Sequence, residues 1–352
     1  INPYYKDVTY KLENYFGTKV NITNNSISTT VTKDVNKAIC EYIWNGFDAN
    51  ASKVDIRYTT DALNITSLEI CDNGEGIDRS SLHETFGCFQ DSKKQHTYQW
   101  SSQIKGKKGK GRYSFNCFAS NADWLTIYKD KENRYIQHKI SIKKGDNQNY
   151  DDHEDEIIIS PVRKTGTTVI FTEIDLPYDF FEKDDFLNYL KKEFAVFLFL
   201  NKAHNKTISI NGKPFYYEDI IEESDCKTID IKREATILYF DVIYILWSEK
   251  MKENYSMYFL DSQQSEKYEQ TTSFNNKDTN FHHSLYVTSD YFNHFSALSN
   301  GERNLFGEDI TSPKDKVFKD LVKKLKKYLE DKQKKYVAEV ACKKMLSKYE
   351  AK

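Results

Sequence analysis

Paired cysteines are missing from this sequence. Its six cysteines (40, 71, 88, 117, 226 and 342) form no C-x-x-C pair, so neither a zinc-ligand set nor a disulfide framework is expected. Cys40, Cys71 and Cys117 sit inside apolar stretches and read as small buried hydrophobes of a reducing compartment. A cytoplasmic location is expected on that ground. Long apolar runs are missing too. The longest, FAVFLFL at 194–200, falls well short of the ~20 residues that span a bilayer, so no membrane contact is expected. The opening residues do not read as a charged–apolar–small leader, and a chain that starts at Ile1 is expected to be part of something longer. The eight histidines include His282–His283, yet no acid or cysteine lies at ligand spacing from them. A structural metal site is not expected.

What is there belongs to a globular chain. Its 352 residues, 39% apolar and 30% charged, suffice for two domains with a core in each. The net charge of −2 hides an asymmetry. Pro313 to Lys352 holds fourteen lysines against six acids, a net of +8, which leaves about −10 for the first 312 residues. The tail is therefore expected to be a separate unit.

The periodicity predicts a short helix over 8–16, a loop or strap to residue 30, and a helix over 33–48. KVDIRYTT (53–60) and SLEICD (67–72) alternate as half-buried strands. The polar, aperiodic stretch 79–104 suits a mobile segment between two glycine clusters. WLTIY, IQHKISI, EIIIS and TTVIFTEI follow as strands, and YDFFEKDD (178–185) is the best domain boundary. Beyond it come a helix at 186–202, a hairpin turning at Asn211–Gly212, strands near 235–247, 255–262 and 282–289, and a last helix starting at Pro313 behind Thr311 or Ser312. Helices early and strands late argue for an α+β sandwich over a doubly wound fold.

Four stretches carry chemistry. In EYIWNGFDANA (41–51), Glu41, Asn45 and Asp48 fall within about 60° of one another on the helix, while Val35, Ile39 and Ile43 form a separate core stripe. In CDNGEGID (71–78), a strand ends in Asp72, and Gly74 and Gly76 let the backbone turn tightly and approach a ligand. Such a carboxylate can accept from an exocyclic amine. In GKKGKGRYSF (106–115), Gly106, Gly109 and Gly111 with interleaved lysines, Lys110 among them, form a nest of N–H groups suited to phosphates. Its spacing is not that of a P-loop. In KTGTTVIF (164–171), Gly-Thr leads into a strand, where the Thr167 hydroxyl could share the Asp72 contact through water. Singly, each of these is also an ordinary turn, helix face or strand start.

In this order and spacing the four resemble the boxes of the GHKL superfamily of ATP-binding domains, found in gyrase B subunits, MutL, MORC proteins, the 90-kDa heat-shock chaperones and histidine kinases. The resemblance covers about residues 30–172. It implies a Bergerat-type α/β sandwich at 1–178 with a lid at about 79–111, then a transducer-like (ribosomal S5-type) α/β domain at 179–312 and a basic helix at 313–352. It further implies ATP and Mg²⁺ as ligands, with Asn45 coordinating Mg²⁺, Asp48 lining the pocket, and Asp72 with Thr167 reading adenine. Gly74 and Gly76 shape that turn, while Gly106, Gly109, Lys110 and Gly111 close over the phosphates. Glu41 becomes the general base, and Lys267 or Lys277 the sensor of the γ-phosphate.

An ATPase acting as an ATP-gated homodimer clamp is implied, MutL-like or MORC-like, in DNA-related or antiviral-defence work, with DNA or a partner protein as its further contact. Glu41 and the absence of a phospho-acceptor helix before it argue against a histidine kinase. A nucleotide-sensing or chaperone-like module with incidental turnover is the alternative.

Overall fold

The computed structural model describes residues 32–82, 111–146, 149–252, 255–274, 280–297 and 310–350. The expected helix at 8–16, the strap and most of the expected lid lie outside these residues. Asp34 starts helix α1 (Val35–Asp48) in extended backbone, its carboxylate accepting from Lys37 N at 3.2 Å. Ile39 and Ile43 are fully buried, as the core stripe requires, while Val35 is half-buried at the rim. Ala38, Cys40, Tyr42, Trp44 and Phe47 are buried as well. A helix covered on nearly every side needs a partner on each. One partner is a sheet. The other is helix α2 (Asp184–Leu200), whose Phe194 and Phe197 rings meet Trp44 at 4.5 and 5.0 Å.

The first sheet has eight strands: β1 (Lys53–Thr60), β2 (Ile65–Asp72), β3 (Ala119–Lys129), β4 (Tyr135–Lys143), β5 (Ile158–Ile159), β6 (Gly166–Ile174), β7 (Thr207–Ile210) and β8 (Lys213–Pro214). Their order is β5-β4-β3-β6-β2-β1-β7-β8. All pairs are antiparallel except β1–β7, for which α2 supplies the crossover. Hydrogen bonding thus continues past residue 178, the expected end of the first domain, into the β7–β8 hairpin. That hairpin turns at Asn211 and Gly212 with φ of 48° and 75°, the left-handed pair an Asn-Gly turn needs.

The second sheet has five strands: β9 (Ile221–Arg233), β10 (Thr236–Trp247), β11 (Ser256–Leu260), β12 (Glu266–Thr271) and β13 (His283–Thr288). The order is β12-β11-β13-β10-β9. Sequence patterning misses β9 and β12. Both are charged strands at an edge, with only one hydrogen-bonded neighbour each, where charge guards against pairing with another chain. EIIIS likewise shrinks to the two-residue edge strand β5.

On one face Phe240, Val242, Tyr244, Met257 and Phe259 pack against Phe318, Leu321, Leu325 and Leu329 of helix α3 (Lys316–Glu350). On the other, Ile245, Trp247, Tyr258 and Tyr286 join the core that contains α1 and α2. Helix α3 opens at Lys316, three residues later than expected. Pro313 sits in a preceding turn closed by Ser312 N and Asp315 Oδ2 at 2.9 Å. Lys332 still pairs with Glu223 and Asp225 of β9 and Tyr336 packs on Phe281, while Val337, Met345 and Leu346 beyond them are exposed. Among the described residues no helix is long and apolar enough to cross a membrane.

Candidate active site

The polar face of α1 is where the boxes meet. Glu41 is only 8% exposed, and Asn45 and Asp48 are half-buried one and two turns along. Glu41 is covered by Gly111. A Cβ built on that glycine would stand 3.1 Å from Glu41 Oε2 and 3.8 Å from Asn45 Nδ2. A side chain there would crowd the Glu41 carboxylate while only touching Asn45. Gly111 begins a 3₁₀ segment, Gly111–Cys117, whose Tyr113 and Phe115 are buried in the core.

Asp72 ends β2 opposite Val54, with glycines on three sides. A Cβ on Gly46 of α1 would come within 2.9 Å of Asp72 Cβ. One on Gly166, whose φ of 151° already suits glycine, would come within 2.3 Å of Asp72 O. Gly74 has no room either, with Ala49 O at 2.4 Å, and it donates its N–H to Asp72 Oδ1 at 2.8 Å. Thr167 N donates to the same oxygen at 3.3 Å. Burial pushes the Asp72 carboxyl above the usual carboxylate range, and these two N–H groups only partly offset it.

Thr167 meets Asp72 through its backbone N–H. The Thr167 hydroxyl lies 3.0 Å from that of Thr126 and has no direct contact with Asp72. Thr126 in turn accepts from Ile77 N at 2.9 Å, and His138 Nε2 lies 2.9 Å from Ile77 O. With a carbonyl as partner, Nε2 carries the proton, and burial lowers the His138 pKa. Thr126 and His138 therefore brace the DNGEGI turn, and sequence reasoning overlooks both. The signal was present: each is a polar residue at an inward position of a strand, alternating with Trp124 and Tyr128 or with Ile140 and Ile142. Asn73 adds a third brace, accepting from Ser52 N and Lys53 N at 2.9 and 2.8 Å. Gly76 turns with φ 77° against Ile127 O.

Other expected residues stand apart. Lys267 Nζ lies 3.0 Å from Asp261 Oδ2 within its own β11–β12 hairpin and is committed there. Gly106, Gly109, Lys110 and Lys277 lie outside the described residues. A link to the second sheet that the sequence did not suggest runs through Glu193 of α2. Its carboxylate accepts from Trp44 Nε1 at 3.0 Å and from Lys252 Nζ at 3.1 Å, joining the helix of the polar face to the loop before β11.

Residues 32–167 match the model of the family described as histidine kinase-, DNA gyrase B- and HSP90-like ATPases. That stretch runs from just before α1 to Thr167 and holds the first three boxes and the Gly166-Thr167 start of the fourth, so it is a GHKL ATP-binding domain. The solved structure of the Aquifex aeolicus MutL ATPase domain complexed with ADP is similar to this chain over 74% of it and 93% of that chain, at 13% identity and a TM-score of 0.38. A likeness so distant carries no residue's role. No curated protein matches the sequence.

The residues present fit a nucleotide with a hard cation. Gly46, Gly74 and Gly166 let α1, the turn after β2 and the start of β6 close tightly on Asp72, and α1 offers oxygen donors at Asn45 and Asp48. Among the described residues no three His, Cys, Asp or Glu gather to hold a metal by themselves.

Proposed function

We propose that this chain is a Mg²⁺-dependent ATP hydrolase. The observation that carries the reading is Gly111, the end of the glycine-rich stretch, lying over the Glu41 carboxylate and beside Asn45. Asp72 accepts a hydrogen bond from the exocyclic amine of adenine. The Asn45 amide oxygen, with Asp48 beside it, holds Mg²⁺, which when bound neutralises phosphate charge. Gly106, Gly109, Lys110 and Gly111 enclose the phosphates with backbone N–H groups and one ammonium. Glu41 takes a proton from water as its oxygen attacks the γ-phosphorus. The bond to the bridging oxygen breaks, and ADP and phosphate leave. With Lys267 held by Asp261, Lys277 is the lysine we assign to the γ-phosphate. Steady-state hydrolysis by wild type and Glu41→Ala tests the reading. The variant should lose at least ~100-fold, and equal rates in the two proteins, or no turnover in the wild type, refute it.

On the same reading ATP closes two copies into a clamp, and the second sheet with α3 transmits the closure as a transducer-like unit. The lysine-rich helix α3, with Lys334, Lys335 and Lys343 exposed, supports contact with DNA in DNA- or defence-related work. Such binding should weaken steeply with salt and largely vanish when residues 337–352 are removed. Equal DNA affinity after that truncation would rule the contact out.

A further inference from the structure

Tyr42, the residue after Glu41, is 2% exposed, and its ring is wedged edge-on against Phe171 of β6 at 4.9 Å, with Trp124 of β3 at 6.4 Å. The strands thus fix where its hydroxyl sits. That hydroxyl donates to Arg112 O at 3.0 Å and accepts from Phe115 N at 3.1 Å. These are the carbonyl and amide three residues apart that a 3₁₀ turn would otherwise join to each other. The phenol therefore inserts into the Gly111–Cys117 segment at the point where that segment leaves the glycine-rich stretch. Burial raises the Tyr42 pKa far above its ordinary value, so the proton it donates stays in place at any working pH. A second, weaker tie is Ser114, whose Oγ lies 2.6 Å from Gly111 O and 3.4 Å from Ala38 O of α1.

We propose that Tyr42 is a positioning residue for hydrolysis: its hydroxyl pins the 3₁₀ segment to α1 and so sets Gly111 against the Glu41 carboxylate. The proposal rests on Glu41 being the base. Base and pin are chain neighbours on one rigid helix, so the pin sets the register of the covering segment relative to the base. Removing the hydroxyl frees Arg112 O and Phe115 N to bond each other, so the fold should survive. The register of Gly111 should not, and misplacement well under an ångström slows a reaction that depends on alignment.

The test compares wild type, Tyr42→Phe, Ser114→Ala and Tyr291→Phe. Tyr291 is a buried tyrosine that donates to Asp315 Oδ2 at 3.1 Å beside the second sheet, and it serves as the control. Tyr42→Phe should lower kcat at least tenfold while KM for ATP and calorimetric affinity for ADP stay within threefold. Amide exchange across 111–117 should quicken at least tenfold. Ser114→Ala should lower kcat about threefold, and Tyr291→Phe should leave it unchanged. Should Tyr42→Phe not fold, an unchanged kcat in Ser114→Ala overturns the pin. A wild type without turnover overturns the hydrolase reading and the pin with it. Turnover in the wild type with an equal kcat in Tyr42→Phe, or a parallel fall in the Tyr291→Phe control, overturns the pin alone.

Discussion

Asp55 and Asp72 stand on neighbouring strands of one sheet, in adjacent pairs of the same ladder, Asp55 opposite Cys71 and Val54 opposite Asp72. One position of offset sends them to opposite faces. Burial pushes Asp55 up, but it accepts from Ser209 Oγ at 2.5 Å, Arg57 Nε at 2.8 Å and Gly212 N at 3.1 Å. Those partners prevail, and its carboxyl lies below the usual range. Asp72 receives two backbone N–H groups and no cation from those ties, and lies above it. The chain completes one carboxylate with its own side chains and surrounds the other with glycine. The first is structural, anchoring the Asn211–Gly212 hairpin. The second has only backbone N–H groups from these ties, and it is the one we assign to adenine.

The largest expected effect in this comparison belongs to the base beyond Asp72. Glu41→Ala should retain nucleotide while failing to hydrolyse it, so Mg-ATP should hold the variant as a dimer. Without nucleotide, or with ADP, it should be monomeric. Light scattering on the three samples decides, and equal dimer in all three would make the contact constitutive. Next comes the pair itself. Asp72→Asn should cost ADP binding about 2–3 kcal/mol by calorimetry, yet leave the free protein at pH 7 as stable or slightly more so, because a carboxylate raised by burial is a charge the fold disfavours. Asp55→Ala should do the reverse, lowering stability by about 1–3 kcal/mol with ADP affinity unchanged. Matching behaviour in the two variants would erase the distinction.

The smallest effect is a pH dependence away from both. His283, fully buried, lies 2.9 Å from Phe281 O through Nδ1 and 2.9 Å from Thr272 Oγ1 through Nε2. Burial lowers its pKa to about 4. The unfolded chain then takes up the proton first, near 6.5. The stability this group contributes is whole above about pH 6.5 and is lost as pH falls towards about 4, by up to about 3 kcal/mol. Urea unfolding at pH 7 and 4.5 should show the loss, and His283→Gln should flatten it. An unchanged slope in that variant would acquit His283.

Much of this molecule was legible from residue order. Helical periodicity alone puts Glu41, Asn45 and Asp48 on one face, because 3.6 residues per turn leaves no other arrangement. The KVDIRYTT strand and the Asn211–Gly212 turn are local in the same sense and stand where read, though Val54, Asp55 and Ile56 are all buried where strict alternation expects one exposed. The stripe Phe318, Val322, Leu325 and Leu329 marks a buried helix face, but its partner, the second sheet, comes from residues up to about a hundred positions earlier.

Charged edge strands such as β9 stay invisible because a single neighbouring strand, not their own apolar pattern, makes them strands. Local chemistry, in short runs of backbone and side chain, determined which residues this protein could offer to a nucleotide. Tertiary structure decided which carboxylate is held by side chains and which by backbone N–H groups alone among those ties. It also decided that Gly111 covers Glu41 and that the Tyr42 hydroxyl reaches Arg112 and Phe115. Those relations join residues about seventy positions apart, and only the packing of α1 against β3 and β6 brings them within hydrogen-bonding distance.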